Sequence, residues 1–180
     1  LLVMGDLAAG KSTFADVLSK RYNTNVFSKD TIKEVLGDTI GFSNREENLK
    51  LSKAAMELMI FFFSEFVKLQ KDLILESNFH TSELDRLQSI ASENGYEVLT
   101  LVIRGDVDLM YKRYINRMQN EKRHPVHLST TLDVFDDFKK SAERSRGEMI
   151  PGNVFNINAN DFSYQTDQAI LERIDRFMRD

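Results

Sequence analysis

The octapeptide GDLAAGKS at positions 5–12 constrains the fold of this chain more than any other feature. It fits the Walker A pattern G-x-x-x-x-G-K-[S/T] without a mismatch, follows the apolar run LLVM and opens a stretch of helical period. In such a loop, formed here by Gly5, Asp6, Leu7, Ala8, Ala9 and Gly10, glycines take backbone angles closed to other residues, and successive N–H groups point into one anion-sized concavity. Lys11, Ser12 and Thr13 begin the helix and add its unpaired N–H groups and positive dipole end. Lys11 offers a charge for the outer phosphates and the Ser12 hydroxyl a ligand for Mg²⁺. The bland alternative, a glycine-bearing turn capped by Ser12 beside a solvated Lys11, leaves the strand-to-helix setting unexplained. The loop reads as a cradle for a nucleoside triphosphate and is silent on the base and the reaction.

Around it, short apolar runs alternate with longer helical patterns. Strands are expected at 1–4, 25–27, 73–75, 97–103 and 153–157, mostly too apolar to have a wet face. Helices are expected at about 11–21, 30–36, 44–71, 82–94, 107–121, 131–146 and 164–178. Ser43 followed by Glu46 suggests a capping box at the start of the long helix. This alternation argues for an α/β, doubly wound parallel sheet with ligands at the carboxyl ends of the strands.

Composition narrows the function. The 180 residues carry a formal net charge of -4, so no global basic field gathers nucleic acid or coats an anionic membrane. There is no cysteine, which removes disulfides, thiolate metal sites and a cysteine nucleophile, and fits a cytoplasmic setting. The three histidines, at 80, 124 and 127, are scattered and argue against a dedicated transition-metal site. LMIFFF at 58–63 is far shorter than the roughly 20 apolar residues that cross a bilayer and reads as a buried helix. No signal-peptide pattern is visible before the first strand, and the start on Leu1 is read as the loss of a few native residues. No repeat or linker composition divides residues 1–180, so one domain is expected.

The other predicted strand ends supply further candidates. In SKDTIKEVLG, Asp30 sits at a helix start, where it either accepts a proton from a substrate hydroxyl, holds the metal's water shell, or simply caps the helix. Lys33, one turn on, reaches an anionic substrate group or solvent. LILESNFH brings Glu76, a candidate partner of the metal, with Asn78 or His80 as substrate contacts, His80 being better explained as a capping residue. Arg113 and Arg117 lie four apart on one helix face, with Lys122 and Arg123 beyond, and can close over a triphosphate or face solvent. Asn158, Ala159 and Asn160 follow the last strand, where a base edge could be read.

These residues together resemble the small P-loop kinases of the zeta-toxin, chloramphenicol phosphotransferase and polynucleotide kinase type, an AAA-type ATP-binding kinase domain. The match rests on GDLAAGKST, SKD, LILESNF and DVDLMYKRYINR leading into RHPVH, and spans nearly the whole chain. The resemblance implies a P-loop NTPase, a three-layer α/β/α sandwich with a central five-stranded parallel sheet and a helical lid at about 113–130. It implies ATP with Mg²⁺ and phosphoryl transfer to a hydroxyl. Asp30 matches the carboxylate acting on the acceptor hydroxyl, and Lys33 falls where polynucleotide kinases carry an arginine for a nearby phosphate. Arg113 and Arg117 match the lid arginines, and the residues after the last strand, Asn158 among them, match an adenine-contacting loop. Glu76 stands where some relatives have Asp, and the long helix at 44–71, which borders the acceptor pocket, has no close counterpart.

The resulting expectation is an ATP-dependent kinase with catalytic Lys11, Asp30, Arg113 and Arg117, metal-binding Ser12 and Glu76, and substrate-binding Asp30, Lys33 and Asn78. Its partners are ATP and a small-molecule or nucleotide-like hydroxyl acceptor, with no membrane and no set oligomeric state. One rival is a nucleic-acid 5′-hydroxyl kinase, which the acidic balance disfavours. Another is a P-loop NTPase regulator, which would carry N-K-x-D and D-x-x-G motifs; N-K-x-D is absent.

Overall fold

The computed structural model describes residues 1–128 and 132–179. Five strands form one parallel sheet: β1 (Leu2–Gly5), β2 (Asn25–Ser28), β3 (Leu73–Glu76), β4 (Leu99–Arg104) and β5 (Asn153–Asn158). Their order is β2-β3-β1-β4-β5, with β1 central and its neighbours β3 and β4 added on either side. Leu2 pairs with both Leu75 and Thr100, so the carboxyl ends of β1, β3 and β4 lie side by side. This is the expected P-loop NTPase fold.

The strands are near-continuous apolar runs because the sheet is covered on both faces. One face packs α1 (Lys11–Tyr22), α5 (Val107–Asn120), α6 (Phe135–Arg146) and α7 (Gln168–Arg179) through Phe14, Leu18, Met110, Phe138 and Ile174. The other packs α3 (Arg45–Lys68) and α4 (Thr81–Glu93) through Met56, Met59, Phe63, Leu84 and Leu87. The expectation of dry strands fails at the two edges, where Asn25, Asn153, Asn156 and Asn158 are exposed. Only central strands have neighbours on both sides and helices on both faces.

Several boundaries differ from the sequence reading. The helix expected at 30–36 is α2 (Lys29–Ile40), a turn longer, and packs along α3. The long helix is capped one residue later than expected. Asn44 Oδ1 accepts from Glu47 N at 3.0 Å, and Glu47 Oε2 accepts from Ser43 N at 2.6 Å. Asn caps at least as well as Ser, and Glu46 instead pairs with Lys50 at 2.9 Å. LMIFFF is amphipathic rather than wholly buried, since Phe61 is 56% exposed. Among the described residues no helix is long and apolar enough to cross a membrane. The helix expected from 131 begins at Phe135, and Thr131 lies outside the described residues. The first turn expected of the last helix is a separate 3₁₀ turn, Ser163–Gln165. Of the predicted lid, residues 113–120 belong to α5, 125–127 form a 3₁₀ turn, and 129 and 130 lie outside the described residues. The tetrapeptide D-x-x-G, which a switch protein would need, does occur, as Asp38–Gly41. It ends α2, with Gly41 at φ 77° as the C-cap.

The amino end of α4 is tied to the segment after α6 by one carboxylate. Glu148 accepts from Thr81 N at 2.7 Å and Thr81 Oγ1 at 2.6 Å, and its other oxygen lies 2.8 Å from His80 Nδ1. The bond to His80, then those to Thr81, pull the Glu148 carboxyl down to about 2 from 4.5. A carboxyl depressed by folding stabilises above its ordinary pKa, and that contribution is lost as pH falls toward the folded value. Glu148→Gln should therefore unfold more easily at neutral pH and lose less stability than the natural chain between pH about 5 and about 2.5, read from urea midpoints at each pH.

Candidate functional site

The loop predicted to cradle phosphate is pinned from below. Gly5, at φ 134°, runs so close to β4 that a Cβ there would lie 1.9 Å from Ile103 O. The next N–H, that of Asp6, donates to Ile103 O at 2.9 Å. The Asp6 carboxylate is 3% exposed and turns inward, accepting from Gly105 N at 3.0 Å and from Arg146 Nε and Nη2 at 3.0 and 2.5 Å. Gly5, Asp6 and Ala9 therefore serve the loop from behind, while Leu7, Ala8, Gly10, Lys11, Ser12 and Thr13 line a cavity of about 710 Å³. Ala8 and Gly10 have φ of 59° and 89°, which folds the chain into a concave turn. Among the described residues nothing accepts from the N–H groups of Leu7, Ala8 and Gly10. Unsatisfied donors ringing a hollow suit an anion.

Lys11 reaches back across this hollow, donating to Asp6 O at 2.8 Å and Gly5 O at 3.2 Å. Burial lowers its pKa, while Glu76, Asp30 and Asp6 hold it up and Arg117 pushes it down. Ser12 Oγ donates to Glu76 Oε2 at 3.3 Å, and Ser28 Oγ donates to the same oxygen at 2.7 Å. Glu76 is 6% exposed. A hydroxyl and a buried carboxylate beside a phosphate cradle form an all-oxygen set of the kind that Mg²⁺ takes, directly or through water.

Asp30, Lys33 and Asn78 line the same cavity, as do Lys29, Ser52 and Ser77. Lys33 Nζ donates to Val126 O at 3.2 Å, and Asn48 Nδ2 donates to the same carbonyl at 2.8 Å. On either side of that contact His124 meets Asp38 at 3.0 Å and His127 meets Glu34 at 2.7 Å. Two residues of α2, four apart, thus clasp the 3₁₀ turn Pro125–His127. Sequence reasoning missed this latch, although the i, i+4 spacing of Glu34 and Asp38 was visible.

The two lid arginines are used differently. Arg113 donates to Ala159 O at 2.6 Å and Asn160 O at 2.7 Å, with its guanidinium 4.1 Å from the centre of the Phe162 ring. It holds the turn after β5. Arg117 is exposed, bonded to Glu121 at 2.9 Å, and stands over Ser12, Asp30 and Glu76 where the main cavity meets a second one of about 500 Å³. Asn158 accepts from Asn160 N at 2.8 Å and does not line the cavity; Phe162 and Gln165, not singled out from sequence, do. His80 is the N-cap of α4.

The sequence profile of the AAA domain family matches residues 1–145. No curated protein sequence matches the chain significantly. Among solved structures, a candidate kinase from Chloroflexus aurantiacus superposes with a TM-score of 0.79 at 24% identity, over 97% of this chain and 96% of that one. Kti12 from Chaetomium thermophilum, in complex with ADP-AlF3, gives 0.65 at 17% identity over 97% and 96%. Shikimate kinase from Bacteroides thetaiotaomicron gives 0.58 at 14% over 99% and 97%. At these identities the likeness establishes a shared P-loop kinase-type fold.

Removing one partner of a buried ion pair strands the other, at a cost of roughly 3–5 kcal/mol. Arg146→Met should therefore lower the melting temperature by roughly 6–20 °C for a chain of this size. Replacing Asp6 by Ser in the same variant should recover part of that loss, because no buried charge is then left alone. Additive losses in the double variant, measured by thermal unfolding, would deny that the pair is coupled.

Proposed function

The chain belongs to the AAA domain family, matched over four-fifths of its length, and from that premise we propose that it is an ATP-dependent kinase. It moves the γ-phosphoryl group of ATP to a hydroxyl of a small-molecule or nucleotide-like acceptor, within one domain spanning 1–180 whose lid is about 113–130. The observation that carries this reading is convergence: Lys11, Ser12, Asp30, Glu76 and Arg117, from three strand ends and the lid, line one cavity with the loop's unsatisfied N–H groups. A GTPase-like regulator has no use for a carboxylate facing that cavity from α2.

In this mechanism the loop N–H groups and Lys11 hold the phosphate tail and neutralise charge as it develops. Ser12 and Glu76 would hold Mg²⁺, which would supply further neutralisation of the phosphate oxygens. Asp30, exposed to the cavity at the start of α2, accepts the proton of the acceptor hydroxyl as its oxygen bonds to the γ-phosphorus. The bond from that phosphorus to the bridging oxygen breaks, and the electron pair leaves with ADP. Arg117 faces the transferring group, whereas Arg113 keeps the turn bearing Phe162 and Gln165 against the nucleotide side. A cytoplasmic location fits a cysteine-free protein that uses ATP.

Lys11→Ala should abolish phosphoryl transfer while leaving thermal unfolding nearly unchanged. Asp30→Asn should cut kcat by roughly 10²–10⁴-fold, the usual range for losing a general base, with little change in ATP affinity. Transfer of labelled phosphate from ATP across a panel of alcohols, alongside calorimetric titration of ATP with Mg²⁺, reads both. A Lys11→Ala protein with natural activity refutes the mechanism.

A further inference from the structure

The phosphate loop is closed from behind by a side chain 155 positions further along the sequence. Tyr164, the middle residue of the 3₁₀ turn Ser163–Gln165, is 2% exposed and lines neither of the two cavities. Its hydroxyl donates to Ala9 O at 2.7 Å, and among the described residues nothing else donates to that carbonyl. The next residue, Gln165, leans on the same spot, with its Nε2 3.4 Å from the Tyr164 hydroxyl and 3.5 Å from Gly10 O. The turn presses so closely on the loop that a Cβ on Gly10 would lie 2.8 Å from Tyr164 Oη and 2.9 Å from Gln165 Nε2.

Packing alone does not ask for a hydroxyl at this place. The Tyr164 ring meets Phe14 edge to face, with 5.2 Å between centres and planes at 76°, and a phenylalanine would fill that space as well. Burial raises the Tyr164 pKa, with Gln165 and Arg113 opposing, so the hydroxyl keeps its proton and donates it. What it holds is one end of a rigid unit. A peptide group is planar and here trans, so its C=O and N–H point in opposite directions. Anchoring the Ala9 carbonyl on Tyr164 therefore turns the Gly10 N–H the other way, toward the cavity that Gly10 lines, and among the described residues that N–H has no acceptor. Gly10, at φ 89°, is the residue least able to hold this plane unaided, because glycine leaves the torsion beside it soft.

We infer that Tyr164 is a positioning residue for the phosphate tail: by holding the Ala9 carbonyl from behind, its hydroxyl aims the Gly10 N–H at the bound anion. The inference deepens the reading of the loop as a phosphate cradle and rests on it. One end of the cradle is then set by Asp6 with Arg146, and the other by the segment after β5. That segment is itself held to α5, because Arg113 donates to Ala159 O and Asn160 O just ahead of the turn.

Tyr164→Phe keeps the ring and removes the hydroxyl. ATP and inorganic tripolyphosphate, each with Mg²⁺, are titrated calorimetrically into the natural chain and the variant at a temperature where both are folded. Both ligands should bind the variant about three- to tenfold more weakly, the range for losing one neutral hydrogen bond. The factor should be the same for the two, because the phosphate tail is what they share. Tyr22→Phe is the control: it removes a hydroxyl that bonds Asp175 at 2.8 Å between α1 and α7, lines neither cavity, and should leave both affinities within about twofold of natural. Unchanged binding in Tyr164→Phe, an equal loss in Tyr22→Phe, or a loss confined to ATP overturns the inference, the last because it would trace to the base and not to the phosphates. A second measurement needs no variant. In isotope-labelled natural chain the Gly10 amide proton should move downfield on binding AMP-PNP with Mg²⁺, as a charge-assisted bond to phosphate requires, and an unmoved signal overturns the inference. Failure of the cradle reading looks different, as a natural chain that binds neither ATP nor tripolyphosphate, and it removes this inference as well.

Discussion

The functional surface depends on how the chain between Gly5 and Gly10 is held against the end of β4. Gly5 permits the close approach to Ile103, the Asp6 amide seals it, and the Asp6 carboxylate binds Gly105 N and Arg146 at once. Arg146 also donates to Gly105 O, so the ion pair staples three segments rather than two. The Asp6 carboxylate turns inward, and among the described residues the N–H groups of Leu7, Ala8 and Gly10, which line the hollow, have no acceptor. An anion site made of backbone is only as well defined as the backbone is rigid. The ion pair confers that rigidity, and its location at the last residue of α6 links the loop to the helix that follows the lid.

A second constraint acts on the opposite wall. The 3₁₀ turn Pro125–His127 is clasped to α2 by His124 with Asp38 and His127 with Glu34, and the Val126 carbonyl is shared by Lys33 of α2 and Asn48 of α3. Gly37 is the point of closest approach, where a Cβ would meet Val126 at 2.4 Å. The same helix carries Lys29, Asp30 and Lys33. Whatever sets the position of the 3₁₀ turn therefore also sets the wall that carries Asp30, while the opposite wall is set by the loop and by Arg113 against Phe162. Arg117 stands where the main cavity meets the second one.

Much of this was legible in sequence, and the errors have physical causes. Each strand was found to within two residues, because buried parallel strands are apolar runs that need no partner to be recognised. The long helix was found but its cap misplaced by one residue, because Ser43 and Asn44 are both good caps and only the packing of the first turn chooses between them. Lys11, Ser12, Asp30, Glu76 and Asn78 were expected at or just after the carboxyl ends of strands, and the structure brings all five to one cavity. Arg113 was grouped with Arg117 by helical spacing, yet spacing says which face a residue occupies and not which carbonyls will be within its reach.

By itself the sequence determined the alternation of strands and helices and the place of the glycine-bounded loop between the first strand and the first helix, since both are local: they follow from residue periodicity and from a motif a few positions long. Tertiary structure decided which charges are spent and which are free. Asp6 and Arg146 are 140 positions apart and Arg113 and Ala159 are 46 apart. No rule of spacing relates such pairs. Only the order β2-β3-β1-β4-β5 brings them together.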